Sequence, residues 1–383
     1  MDQKTLAKRL KAARERVGLS VIDAAKRLGY KSYQTLSSIE KGERKVKASE
    51  LTSFAREYFC SLDSLLAETF QETKMVLLWR KSPEGAAKKE LESAITYHCE
   101  QYRSLERLLG YESIGDLNFF DLRISNISTP ARIDSLANNT WRLLELGSRP
   151  AFTLKNILEQ TYGVKFIYQP LASISSAAST VHPDFGPVIV VNSDEAPWRR
   201  NYDLAHELFH LITWKIIPTE ELNGEYLAEV EKKAERFASA LLLPEPEVRK
   251  AIDKVWQNQR TLAYADIVDI ARDFGVSTVA LLYRLSAIGC IKWETANKLA
   301  GDESLANLEA NLDKKKRADD WGDRPVSDRF HSLAVKCLRK GLLSRGKFAE
   351  IVGIDRSEID LFIEGEGLME TEGESIEIMA PRC

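Results

Sequence analysis

Two histidines and a glutamate stand at a spacing suited to metal-assisted hydrolysis. They form the HExxH string His206-Glu207-Leu208-Phe209-His210, inside NYDLAHELFHLITW. On a helix, residues four apart share one face, so the two imidazoles can converge on one ion. Glu207 is then placed to reach water on that metal and act as general base. Leu204, Leu208, Leu211 and Ile212 give the helix the apolar flanks that burial beside a site requires. The plainer alternative is two ordinary histidines on an amphipathic helix, but the chain has only five histidines and two of them fall here. A catalytic zinc needs a third protein ligand and an open position. In the following stretch, EVEKKAERFASALLLP, the residues Glu231, Ala234, Ala238 and Leu241 share one helical face. Glu231 is therefore an acid on an inward face, and the small alanines allow a close helix approach. Glu235, one turn further on, and Glu229, which points elsewhere, are its rivals. A solvated acidic helix is the plainer reading of that stretch. His182 and Tyr202 are candidates for stabilising an oxyanion, each with a plainer structural role.

These residues need helices and a sheet to position them. Pro197 opens a helix expected to run through Thr213, and a second spans about Tyr226–Leu243, closed by Pro244. A loop is expected between them, around Pro218–Gly224. Before them, helices are expected near Arg132–Glu145 and Leu154–Tyr162. KFIYQ (165–169) reads as a strand, and SAASTVH (176–182), PDFG (183–186) and PVIVVN (187–192) read as a hairpin.

The N-terminus has a different chemistry. Residues 1–60 hold 14 Lys/Arg against 7 Asp/Glu, a net of +7 in a chain whose overall charge is -3. The remainder carries -10, so a basic head on an acidic body is expected to meet a polyanion through the head alone. Short helices follow one another there. Leu6, Leu10 and Ala13 share one face; Ser20 with Asp23 forms a capping box; a third helix spans about Ser32–Lys41, stopped by Gly42. A fourth carries Leu51, Phe54 and Phe59, and a short fifth carries Leu62 and Leu65. This is a helix-turn-helix order, whose third helix would enter the major groove with Tyr33, Gln34 and Ser38 at base edges. Lys41, Arg44 and Lys45 would follow on phosphates.

At 383 residues, 44% hydrophobic and 29% charged, the chain fits two to four globular domains. Five scattered cysteines without a CxxC pair argue against a disulfide framework or a thiolate zinc site, and fit a reducing cytoplasm. No apolar run approaches the ~18–20 residues that span a bilayer, and the charged start has no signal-peptide core. The expected division is a helix-turn-helix domain at 1–70, a helical connector at 71–125, a metallopeptidase-like domain at 126–245, a helical extension at 246–300 and a C-terminal helical domain with an acidic tail at 301–383. Within the last, 301–325 reads as a charged loop.

GLSVIDAAKRLGYKSYQTLSSIEKGERKVKASELTSFAREY resembles the XRE/Cro-like DNA-binding family over about 65 residues. The resemblance implies an ion pair between Arg14 and Glu40 that ties the first helix to the third. The HExxH string with ExxAxxFAxxLLxP, here Glu231, Ala234, Phe237, Ala238, Leu241, Leu242 and Pro244, resembles the ImmA/IrrE-like, M78-type metallopeptidases. That resemblance implies zinc, a gluzincin-like α+β domain within a mainly helical chain, and Glu231 as third ligand. Phe209 stands where Gly is common and Glu235 where Asn is frequent; neither change removes a ligand. Such peptidases hold substrate as an added β-strand, which places strand 187–192 at the substrate. FGVSTVALLYRLSAIGCI (274–291) resembles the family's usual helical extension; its FGVS suggests a second helix-turn-helix, but with few basic residues beyond Arg284 and Lys292 it is read as packing or partner binding. The Lys/Arg run Lys336, Arg339, Lys340, Arg345 and Lys347 is read as a solvated face.

The resulting expectation is a cytoplasmic regulator that binds double-stranded operator DNA and cleaves a repressor-type protein. The rival expectation is an antitoxin-type autorepressor whose peptidase fold docks a cognate toxin. A homodimer is admitted by either.

Overall fold

The computed structural model describes residues 2–67, 75–79, 82–112, 115, 117, 121–171, 175–217, 223–259, 262–313 and 325–365. Residues 218–222 of the expected loop, 314–324 of the expected charged loop, and the acidic tail from 366 lie outside the described residues. Among those described, no helix is long and apolar enough to cross a membrane.

The chain is α+β, with an all-helical head. The head comprises α1 (Gln3–Val17), α2 (Val21–Arg27), α3 (Tyr33–Glu40), α4 (Ala48–Glu57) and α5 (Leu62–Leu66). Polar caps set the helix starts, because the first turn's N–H groups have no partner within the helix. The Ser20 hydroxyl accepts from the Asp23 amide and donates to the Asp23 carboxylate, and Ser32 accepts from the Gln34 amide. Leu10, Ala13, Val17, Leu36, Ile39, Phe54 and Leu65 fill the head's own core.

Strand β1 (Leu78–Trp79) and the long helix α6 (Gly85–Leu108) come next. Residues 71–125, expected to be a helical connector in which KMVLLWR forms a short strand or a buried turn, thus supply a strand to the central sheet and a helix to its cover. A 3-10 turn at Ile124–Ile127 precedes α7 (Pro130–Leu143) and α8 (Pro150–Gln160), each with proline in its first turn. Then follow β2 (Lys165–Gln169), β3 (Ala177–His182) and β4 (Gly186–Asn192). The sheet order is β1-β3-β4-β2. β3 and β4 form the expected hairpin, with Ser179 opposite Ile189, while β2 runs parallel to β4.

Both sheet faces are covered, which is why β2 and β4 read as nearly continuous apolar runs. Phe166, Tyr168, Ile189 and Val191 pack toward α9 (Pro197–Thr213) and α10 (Gly224–Leu242). Ile167, Ala178, Val188 and Val190 pack on the opposite side, toward α6. A charged network crosses that second side. The fully buried Lys165 ammonium lies 3.0 Å from Glu106 of α6, which also binds Arg329 at 3.0 Å. Burial pushes the Lys165 pKa down, and the Glu106 charge opposes it.

The remaining helices are α11 (Glu245–Gln259), α12 (Tyr264–Asp273), α13 (Thr278–Ala287), α14 (Trp293–Ala300), α15 (Glu303–Asp313), α16 (Asp328–Arg339), α17 (Arg345–Val352) and α18 (Ile359–Gly365). Helix α15 corrects the loop expected at 301–325. The charged run KKKRADD (314–320) that follows it masked two apolar positions, Leu305 and Leu308, that pack on the main core. Asp302 caps the helix through the Ser304 amide, and Glu309 accepts from the Thr278 amide. The FGVS turn packs as expected: α12 and α13 bury Ile267, Val268, Leu281 and Leu285 in the main core. Arg284 is also buried, donating to the Leu243 carbonyl at 2.9 Å. In the C-terminal basic run, Lys336, Arg339, Lys340 and Arg345 are exposed, while Lys347 reaches Asp63 of the head at 3.0 Å.

Candidate metal centre and DNA-binding face

Helix α9 is buried from Asp203 through Thr213, so its polar residues must find partners inside the protein. His206 and His210 lie four apart, and their Nε2 atoms are 3.1 Å apart. Across from them, Glu231 Oε2 is 3.1 Å from His206 Nε2, and Glu231 Oε1 is 3.2 Å from His210 Nε2. Helix α10 comes this close because Ala234 and Ala238 are fully buried and small, with Phe237 packed on Phe209 at 5.6 Å between ring centroids. Arg236 clamps α10 to α7 through both Asp134 oxygens.

Among the described residues, His206, His210 and Glu231 are the group of side chains that could hold a metal ion. Donors ~2.0–2.1 Å from a tetrahedral ion stand ~3.3 Å from one another, close to the observed 3.1–3.2 Å. Two imidazoles and one carboxylate, with no thiolate, are a donor set suited to a catalytic zinc. Both histidines are almost wholly buried, whereas the Glu231 side chain keeps 19% of its exposure. Burial would raise the Glu231 pKa. Hydrogen bonds to His206 and His210, and their charge, outweigh it and hold the carboxyl well below the usual carboxylate range.

The rivals of Glu231 face away. Glu235 is exposed, and Glu229 is exposed and paired with Lys233 at 2.7 Å. Tyr202 donates its hydroxyl to the Glu235 carbonyl at 2.9 Å, joining α9 to α10. His182 is buried in the β3–β4 turn, stacked on Phe185, and accepts from the Asp184 amide. That gives His182 a structural place at the hairpin.

Glu207 lies outside the donor triangle. It is 1% exposed, and its Oε2 accepts a 2.5 Å hydrogen bond from Ser179 Oγ on β3. The sequence reading did not single out Ser179. Its signal was faint: a small polar residue in an otherwise apolar strand, meaningful only once β3 is seen against α9. The sheet order also corrects the expected substrate strand. β4 is paired on both sides, by β3 and β2, so it has no free edge to accept a peptide. The hairpin was legible, but the parallel return of β2 beside β4 was not.

In the head, the Arg14 guanidinium makes the expected pair with Glu40, at 2.7 and 2.9 Å, and also donates to the Leu19 carbonyl. Tyr33 and Gln34 are exposed at the start of α3, as base contacts require, and Lys41 and Lys45 are exposed just beyond it. Ser38 is half-buried and turns its hydroxyl to the Thr35 carbonyl. Arg44 binds Glu50 at 3.0 Å and sits over the Tyr30 ring.

Residues 159–286 match the family model of the IrrE N-terminal-like domain, Peptidase_M78, and residues 10–65 match the helix-turn-helix model HTH_3. The chain thus carries, in order, a segment similar to helix-turn-helix domains and a segment similar to the IrrE N-terminal-like domain. The M78 match begins at the end of α8, takes in the whole donor triangle and Glu207, and runs on through α12 into α13. A Mycobacterium tuberculosis transcriptional regulator of known structure is 18% identical, with a TM-score of 0.30. The match covers 49% of this chain and 51% of that one, so the chain spans about half the length of that neighbour. No curated relative matches the chain.

Proposed function

We propose that this chain is a DNA-binding regulator whose M78-type domain is a zinc-dependent endopeptidase acting on a repressor-type regulatory protein. The observation that carries the reading is the division of labour on two facing helices. Three donors converge within 3.2 Å of one another, while the neighbouring carboxylate of Glu207 is held apart from them by Ser179.

His206, His210 and Glu231 would hold the ion, with zinc as the fitting choice. Bound there, it would supply Lewis acidity and make water a nucleophile at neutral pH. To ligate through Nε2, each imidazole must be neutral there and carry its proton on Nδ1. Glu207 takes the proton from the attacking water and returns it to the leaving amine. Ser179 fixes the rotamer of that carboxylate, and the surrounding apolar core keeps bulk water from competing for it. In the head, α3 presents Tyr33 and Gln34 to base edges, while Lys41 and Lys45 meet phosphates. Linking the two on one chain would place proteolysis at a regulated promoter.

The test is metal analysis of the purified protein together with a cleavage assay on candidate repressor-type proteins. One zinc per chain, lost in His206→Ala/His210→Ala, is expected. Full retention of zinc in that double variant overturns the site. A variant without zinc that still controls its operon and still neutralises a toxin encoded beside it would favour the docking role over the peptidase.

A further inference from the structure

An extended peptide binds a sheet by pairing its backbone with a strand edge. The edge nearest the chemistry is the outer edge of β3, because Ser179 of β3 contacts Glu207 while β4 is enclosed. That edge carries a strand from this same chain. β1 runs antiparallel to β3, with Leu78 opposite Ser179 and Trp79 opposite Ala178. Paired strands lie about 4.8 Å apart, so no second peptide can pair at Ala178 and Ser179 while β1 is in place.

The side chains of β1 are divided as those of a bound substrate would be. Residues directly opposite in an antiparallel pair stand on the same face. Leu78 therefore shares the face of Ser179, toward α9, and is half-buried there. Leu77 and Trp79 point to the other face and are buried with Ala178 and Ile95. The Trp79 indole N–H donates to Glu92 of α6 at 3.3 Å. Two anchors hold the strand from the side away from the site, and one apolar side chain is presented beside the candidate base. The next element, α6, touches the head: Arg27 forks onto Glu90, and Gly18 lies against Ala86 and Lys89. In chain order the strand thus falls between the head and the helix on which that head rests.

We infer that Leu77–Trp79 is an intramolecular occupant of the peptide-binding edge of β3. The substrate is then an extended protein segment with a large apolar residue at the register of Leu78, and it must displace β1 to bind. For its functional consequence this rests on the peptidase reading; the occupancy itself does not.

The experiment uses full-length protein carrying Glu207→Gln, so that bound peptide is not consumed. A fluorescein-labelled peptide KMVLLWRK, the sequence of residues 74–81, is titrated and followed by anisotropy. A short tether holds its own strand at an effective concentration on the order of millimolar, so the free peptide competes poorly. Adding Leu78→Pro removes a backbone donor from β1 and is expected to tighten peptide binding at least tenfold. A peptide with proline in place of that leucine should not bind. Hydrogen exchange without the proline substitution gives a reading free of folding effects. Saturating peptide should raise deuterium uptake at 75–79 while 177–180 stay protected. Equal affinity with and without Leu78→Pro, together with unchanged uptake at 75–79, overturns the proposal. If Leu78→Pro tightens binding but metal-loaded protein with Glu207 intact cleaves nothing, the strand assignment stands and the peptidase reading falls.

Discussion

Replacing Glu207 with glutamine separates holding a metal from using it. The three donors lie 3.1–3.2 Å apart without any contribution from Glu207, so Glu207→Gln should leave metal stoichiometry unchanged. Glu207 accepts a 2.5 Å hydrogen bond from Ser179, and glutamine keeps an oxygen that can accept it. A hydrogen bond to a charged group is worth ~1.5–3 kcal/mol and a neutral one ~1 kcal/mol, so the fold should lose on the order of 1 kcal/mol. Relief of a buried charge offsets part of that. The amide cannot take a proton from water. General-base catalysis contributes ~10²–10⁴-fold, which at ~1.36 kcal/mol per tenfold is about 2.7–5.5 kcal/mol of barrier. Three assays on one preparation read this out: metal content, anisotropy of labelled operator DNA, and cleavage of the candidate repressor. Metal and DNA binding should match the unaltered protein while cleavage drops at least a hundredfold. Cleavage at the unaltered rate would refute the base assignment. Loss of metal would show that Glu207 belongs to the ligand set after all.

Glu40→Ala strands the Arg14 guanidinium, which is nearly buried in the head and bound to both Glu40 oxygens. Breaking a buried pair this way costs ~3–5 kcal/mol, so thermal unfolding should show the head melting early and operator binding lost while zinc is retained. Gln34→Ala removes an exposed side chain at the start of α3 and should weaken specific operator binding by ~1–3 kcal/mol, with non-specific binding nearly unchanged in a competition titration. Burial pushes the His98 imidazole down to about 4 from an ordinary value of 6.5. The unfolded chain therefore takes up the proton first as pH falls. The stability that neutral His98 contributes is complete above pH 6.5 and is lost progressively down to about pH 4. Urea unfolding should show a loss of about 3 kcal/mol over that window, at ~1.36 kcal/mol per pKa unit, and His98→Leu should flatten it.

Local chemistry made much of this legible from residues alone. The HExxH string needs only the helical period to bring His206 and His210 together, and Pro197 announces where that helix begins. Ser20, Ser32 and Gly42 mark the ends of the head helices, because caps and left-handed turns are decided within a few residues. KFIYQ and the β3–β4 hairpin were likewise fixed by apolar runs and a short turn. Helix α15 was hidden because the charged run KKKRADD (314–320) that follows it coloured the whole segment, and only its burial against α12 reveals the apolar positions.

What the chain alone could not decide is everything that depends on distant segments meeting. Helical phase favoured Glu231, but it could not by itself exclude Glu235 one turn further on. Only the packing of α10 on α9 puts Glu231 at 3.1–3.2 Å from both imidazoles and leaves Glu229 and Glu235 facing water. Ser179 becomes a partner of Glu207 only when residues 28 apart are brought together. Arg44 reads as a free cation until Glu50 and Tyr30 surround it. Strand order is the furthest from sequence, since hydrophobic pattern says that a strand is buried but not which strand lies beside it. That order encloses β4, sets β3 against the site helix, and lays Leu78 along the side of β3 that β4 leaves open.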